Sequence, residues 1–291
     1  MLRATSISQS VKQKLQDSGF SGQVLSVHEL ACNLIDEAGE IIALVAPSVG
    51  DGPFSIVVDA TFNADIDLAA GNLAHADGER LVAGPLVVEL AGAPIWDPRP
   101  AWPRLRAARE QVAAGFAAFD EWAPSAIWGG LTHVTGADQY AEGKPTFMAR
   151  MARGQEAYSR LIMEGLGGGE GDSLVEGARL LAGLGPGGTP AGDDFLVGVM
   201  AAVWLLGDEA DAAAIGETAA ARTSALSAAF LRAAGRGEFA ASWHMLLEAL
   251  AGGEPDQVEK AAMALESCGA SSGADALDGF ILAGRRLLAE K

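Results

Sequence analysis

Two cysteines in 291 residues, Cys32 and Cys268, are too few for a disulfide framework, and neither has a partner at metal-ligand spacing. The four histidines, His28, His75, His133 and His244, are scattered, and neither HExxH nor CxxC occurs. The usual zinc sites are thereby excluded. Positive charge is also scarce. Lys and Arg number 20 against 38 Asp and Glu, for a net charge of −18, and no basic cluster relieves the deficit. Nucleic acid and anionic membranes are therefore not expected as partners. The longest apolar run covers about 12 residues, short of the roughly 20 that span a bilayer. The first residues lack the basic-then-apolar plan of a secretory signal. A cytoplasmic protein is the expectation. No Ser-His-Asp order, activated cysteine or paired glutamates stands out, so covalent catalysis has no support.

What is present is a chain of 49% hydrophobic residues, long enough for one large or two ordinary domains with a real core. The expected class is α+β, with a β-rich N-terminal module over 1–100 and a larger, mostly α-helical domain over 101–291. Residues 4–18 read as a short helix. From Gly22 to Glu89, apolar runs at 24–27, 41–45, 54–58, 81–82 and 86–90 alternate with turn signals such as Gly50-Asp51-Gly52-Pro53 and Gly84-Pro85. His28 follows the first of these strands, and Asn33 reads as a turn or strand-end residue bonding its own backbone. The stretch from Trp96 to Pro103 is a proline-rich boundary. Beyond it helices are expected at 104–122, 146–166, 173–184, 190–207, 211–234, 238–251, 255–265 and up to 289, with 123–147 irregular.

The helical part is organised around Gly183-Leu184-Gly185-Pro186-Gly187-Gly188-Thr189-Pro190-Ala191-Gly192-Asp193-Asp194-Phe195. Thr189 before Pro190 is a helix-start signal, with Thr189 as N-cap. Asp193 and Asp194 then fall near the first turn, where the helix dipole favours carboxylates. A capped helix accounts for Thr189, Pro190 and one aspartate. It leaves the conformational cost of five glycines unexplained, which a loop touching a ligand would explain. The spacing is not a phosphate-binding Walker loop, because no Lys-Ser/Thr follows. Nor is it a dinucleotide fingerprint, because the preceding segment reads as helix.

Gly192-x-Asp194-x-Leu196-x-Gly198 is echoed by Gly273-x-Asp275-x-Leu277-x-Gly279. Both copies open apolar helices. The echo makes Asp194 and Asp275 equivalent and leaves Asp193 for capping or support, since consecutive helical residues point about 100° apart. Ser272 with Asp275 also fits a capping box. A third polar island is Arg222-Thr223-Ser224, with Ser227 a turn further on. Arg222 either pairs with a nearby carboxylate or offers its fork to a carboxylate or phosphate. Two aspartates repel a bare phosphate. A Mg²⁺ ion would reconcile them, and so would a substrate amide or ammonium group.

Residues 183–195 resemble the signature G-L-G-P-G-x-T-P-x-G-D-D-F of the uncharacterised bacterial proteins grouped with the AllH-type subunit of oxamate carbamoyltransferase. Arg222-Thr223-Ser224 is similar to that family's R-T-[TS] segment, and Ser271-Ser272-Gly273-Ala274-Asp275 to its S-S-G-x-D segment. Val27-His28 and Asn33 resemble its N-terminal pattern. Gly188 stands where leucine is common, and Cys268-Gly269-Ala270 replaces a turn bearing histidine, so no histidine role carries over. The resemblance implies allantoin-type purine degradation or related nitrogen catabolism, beside partner subunits and a carbamate kinase. The implied chemistry converts oxalurate and phosphate to oxamate and carbamoyl phosphate. Asp194 and Asp275 are the candidate catalytic residues, orienting the acceptor amide. Gly187, Gly188, Thr189, Gly192, Asp193, Arg222, Thr223, Ser271, Ser272 and Gly273 are the candidates for binding phosphate or another small anion. The rival expectations are a non-catalytic assembly subunit and a Mg²⁺-dependent hydrolase of an amide or phosphoester liganded by Asp193, Asp194 and Asp275.

Overall fold

The computed structural model of the protein describes residues 1–62, 68–122, 153–154, 156–167 and 171–289. The chain divides into two compact units. One is Met1–Arg99 with Phe239–Ala241, and the other runs from Pro100 to Glu238 and from Ser242 onward.

The first unit is a β-barrel. Its strands are β1 (Leu2–Ser8), β2 (Phe20–His28), β3 (Ala31–Asp36), β4 (Ile41–Val45), β5 (Ser55–Val58), β6 (Leu73–Ala76), β7 (Arg80–Ala83), β8 (Leu86–Glu89) and β9 (Ile95–Trp96). They follow the order β5-β4-β3-β2-β6-β7-β8-β1-β9. β1 also pairs antiparallel with β5 (Ala4 opposite Val58) while running parallel to β8 (Leu2 opposite Val88), which closes the sheet on itself. Closure hides the strand edges that an open sheet would expose. Side chains alternate in and out at period two, as at Ala74 and Ala76, buried between exposed Leu73 and His75. The helix α1 (Gln9–Asp17) adds Val11 and Leu15 to a core with Ile7, Phe20, Val24, Leu34, Leu44, Ile56 and Val88.

Two expectations are corrected here. Residues 4–18 are not one helix, because the barrel recruits residues 2–8 as the strand that joins β5 to β8; pairing overrides local propensity. Asn33 is not a turn residue. It lies within β3, and its side-chain amide donates to Ser26 Oγ at 3.0 Å.

The second unit is helical. Its elements are α2 (Trp102–Ala107), α3 (Arg109–Trp122), a π-helical segment (Ser159–Gly165), α4 (Gly171–Leu181), α5 (Ala191–Leu206), α6 (Glu209–Ala220), α7 (Ala225–Gly235), α8 (Ala241–Gly252), α9 (Pro255–Glu266) and α10 (Ser272–Ala289). Twelve of the sixteen α5 residues are buried, so this helix is covered all round and forms the centre of the unit. Its last carbonyls would be orphaned by that burial. Arg106 Nε donates to Trp204 O at 2.6 Å and Arg109 Nη1 to Leu206 O at 3.0 Å. The helix expected over 104–122 is accordingly broken at Ala108, separating the segments that carry these two arginines. The helix expected over 211–234 is likewise two, because Ser224 accepts from Ser227 N and starts α7 afresh. Of the expected 146–166 helix, residues 146–152 lie outside the described residues, as does the irregular stretch 123–147. Among the described residues no helix is long and apolar enough to cross a membrane.

Candidate functional site

The two Gly-x-Asp-x-Leu-x-Gly segments open α5 and α10, and these helices pack against each other at their glycines. A Cβ on Gly198 would sit 1.7 Å from Ala276 O, and one on Gly279 would sit 2.1 Å from Phe195 O. Phe195 and Ala276 hold the same place in the two copies, so the contact is reciprocal and two-fold in character. The first glycines match too. A Cβ on Gly192 would sit 2.2 Å from Leu181 O at the end of α4, and one on Gly273 would sit 2.0 Å from Leu265 O near the end of α9. The echo is thus a packing motif: two helix–loop–helix pairs whose second helices cross closely enough that only glycine fits. This accounts for Gly192 and Gly273 without a ligand.

The copies differ in the loop before the second helix. Gly183, Gly185 and Gly187 have φ of 69°, 125° and 95°, a region that side chains avoid. At Gly187 and Gly188 an added Cβ would meet nothing within 4 Å, and both are exposed. The buried Asp193 anchors the loop. Its Oδ1 accepts from Gly183 N at 2.8 Å, and its Oδ2 accepts from Ser227 Oγ at 2.7 Å and from Thr223 Oγ1. Ser224 Oγ donates to Gly188 O at 2.6 Å. The turn 222–227 therefore grips the loop at both ends, which explains why the helix must break there.

Thr189 is not the N-cap of α5. Pro190 holds that position, and Thr189 Oγ1 lies 3.1 Å from Ser272 Oγ. Ser272 in turn is the first residue of α10, and the amide of Asp275 bonds Ser271 O at 2.9 Å. The capping box expected at Ser272 is therefore replaced by a hydroxyl bridge joining the two helix starts.

Asp194 lies beside that bridge. Burial pushes its carboxyl up to about 7, and the neighbouring charges of Asp275 and Asp193 push the same way, against hydrogen bonds from Ser272 and Thr189. Its Oδ2 is buried with no hydrogen-bond partner among the described residues. Asp275 is 0% exposed. Three residues on, Asp278 is also pushed up to about 7, by burial first and then by Asp275 and Glu266. Sequence reasoning passed over Asp278. Its spacing was the available signal, because i and i+3 share a helix face. The helix starts thus bring the Asp194 carboxyl, raised chiefly by burial, beside Asp275, an arrangement suited to accept an amide proton or to hold an N–H donor.

A family model described as oxamate carbamoyltransferase subunit AllH matches residues 181–284, the span that holds the loop, the turn and both aspartate helices. A second, the AllH family N-terminal domain, matches residues 3–95, the barrel. The chain belongs to the AllH family. No match was found among curated proteins or among solved structures. Of the residues expected at the site, the structure brings one group together and leaves a charged part aside. Thr189, Asp194, Ser272 and Asp275 converge, and Asp193 with Thr223 supports the loop behind them. Arg222 is exposed, and the groups its charge acts on are Arg153 and Glu176. Asp193, one of the three expected Mg²⁺ ligands, turns its carboxylate to the loop: Oδ1 accepts from Gly183 N and Oδ2 from Ser227 Oγ and Thr223 Oγ1. Among the described residues no group of three or more His, Cys, Asp or Glu is placed to hold a metal.

Proposed function

We propose that this chain acts as the subunit of an oxamate carbamoyltransferase that supplies a proton-transfer and acceptor-binding site, built from Asp194 and Asp275 at the starts of α5 and α10. The observation that carries the reading is the Asp194 carboxyl, buried beside Asp275 and brought to about 7. In carbamoyl transfer the acceptor amide nitrogen attacks the carbamoyl carbon of carbamoyl phosphate. The carbon–oxygen bond to phosphate breaks, and its electron pair leaves with the phosphate oxygen. One proton must leave the nitrogen, and the departing phosphate must gain one. A carboxylate that titrates near pH 7 can take the first and deliver the second. Asp275 keeps the affinity of Asp194 for that proton high, and the glycine loop with Arg222 would receive the phosphate. Partner subunits complete the enzyme, and the pathway is nitrogen catabolism of the allantoin type.

The test is carbamoyl transfer by the assembled enzyme. Asp194→Asn keeps the size of the side chain and one acceptor oxygen, turns the other oxygen into an NH2 donor and removes the basicity. A loss of 10²-fold or more in kcat is expected, the usual range for a general acid–base group. One set of observations favours a second reading, a structural role in assembly. Gly192, Gly198, Gly273 and Gly279 are all accounted for by helix packing. In that case Asp194→Asn leaves transfer intact while substitutions at these glycines abolish assembly.

A further inference from the structure

Asp194 and Asp275 hold the same place in the two copies of the motif, each fourth in its helix, counted from Ala191 in α5 and from Ser272 in α10. Their surroundings differ. Thr189, two residues before α5, is matched in the second copy by Ala270, two residues before α10. The first helical residue is Ala191 in one copy and Ser272 in the other. Both hydroxyls come to the same aspartate. Ser272 Oγ lies 3.1 Å from Thr189 Oγ1, and both side chains hydrogen-bond the Asp194 carboxyl. The matching positions on the Asp275 side, Ala270 and Ala191, carry no hydroxyl.

The meeting of Thr189 and Asp194 follows from the helix start. The residue before an N-cap and the fourth helical residue come together there. With Pro190 as N-cap these are Thr189 and Asp194, and Asp194 N donates to Pro190 O at 3.1 Å to close the turn. A hydroxyl at a helix start ordinarily caps a backbone N–H. No side chain caps α5. Among the described residues, the hydroxyls of Thr189 and Ser272 bond each other and Asp194 instead. They join positions 83 residues apart, a bridge that local helix capping does not call for.

A carboxyl that gains and loses a proton needs partners that suit both forms. A backbone N–H only donates and so favours the ionised form. A hydroxyl donates to the carboxylate and, after rotation about its C–O bond, accepts from the acid. The charged groups acting on Asp194 are Asp275 of α10 and Asp193 of its own helix. Asp278 and Glu266 lie on the far side, acting together with Asp275 on the α10 start.

We infer that Thr189 and Ser272 are positioning residues for Asp194, a reversible hydroxyl pair that holds its carboxyl in one orientation whether it carries a proton or not. The catalytic consequence rests on the role proposed for Asp194.

The test is a carbon-detected NMR titration of the full chain with ¹³C-labelled aspartate, the Asp194 carboxyl being assigned by its loss in Asp194→Asn. The variants are Ser272→Ala and Thr189→Val, with Ser272→Thr and Thr189→Ser as conservative rescues. Each loss of a hydroxyl should raise the Asp194 midpoint by about one pH unit, because the ionised form loses a donor. Each rescue should return it to the wild-type value. In the assembled enzyme, the same two losses should lower kcat about tenfold at unchanged KM, with the inflection of the pH profile displaced upward. A midpoint that stays put in both Ser272→Ala and Thr189→Val overturns the inference. So does a displacement that the rescues retain, or a raised KM with kcat intact, which would make the hydroxyls substrate ligands. Full activity in Asp194→Asn would instead overturn the proposed function and leave the titration result standing.

Discussion

Raising the pH from 5.5 to 8 should destabilise the helical unit, and Asp194→Asn should remove much of the effect. The sign follows from linkage. Asp194 titrates near 3.8 when unfolded and near 7 when folded. Between those values the folded state binds more protons than the unfolded one, so stability falls as pH rises through about 4 to 7 and is flat above. A three-unit elevation corresponds to about 4 kcal/mol across the whole window, at about 1.4 kcal/mol per unit. From pH 5.5 upward roughly half of it remains, about 2 kcal/mol. Asp278 adds in the same direction, but its proton is linked to that of Asp194 through Asp275, so the two do not simply sum. Chemical denaturation followed by circular dichroism, with wild type and Asp194→Asn each at pH 5.5 and 8, gives the answer. The double difference cancels every other titration. The variant should be more stable than wild type at pH 8 and should lose about 2 kcal/mol less on going there. Equal pH slopes for the two proteins would refute the reasoning and place Asp194 in an environment that tolerates its charge.

Thr223→Val deletes one of the two hydroxyl donors to the buried Asp193 carboxylate, and should cost about 1–3 kcal/mol in denaturant unfolding. Gly198→Ala drives a methyl group into Ala276 O. It should cost about 3 kcal/mol or more as α5 and α10 are pushed apart, read as a lowered melting temperature, whereas Gly188→Ala at the open tip should stay within about 1 kcal/mol. Burial pushes the Cys32 thiol up to about 12, and Cys268 is exposed. A maleimide should therefore label one site in the native protein, identified by peptide mass as Cys268, and two after unfolding.

The strands were legible where apolar runs are uninterrupted, as at Ile41–Val45 and Leu86–Glu89. They were hidden where a barrel needs only every second residue inside, as in Leu73–Ala76, or where polar residues interrupt the run, as at Asn33. Helix breaks at Ala108 and at 221–224 were hidden for another reason. Both are imposed by distant partners, the α5 carbonyls and the Asp193 carboxylate, and local propensity carries no trace of either. The paired Gly-x-Asp motif marks the starts of α5 and α10, because close packing demands glycine and the echo repeats that demand. The choice of Asp194 over Asp193 came from the echo, which pairs Asp194 with Asp275, while helical geometry says only that adjacent aspartates cannot point the same way. Thr189 was misread as a cap, because a hydroxyl before proline serves the backbone or a neighbour equally well, and here Ser272 is within reach.

The pH dependence of carbamoyl transfer by the assembled enzyme, wild type against Asp194→Asn, bears most directly on the role given to Asp194. With Asp194 as the base that takes the amide proton, kcat should rise with pH to a plateau through an apparent pKa near 7, and the asparagine variant should be at least 10²-fold slower with that inflection gone. An asparagine enzyme with wild-type kcat and an unchanged profile would contradict the assignment and leave the two helix starts as architecture.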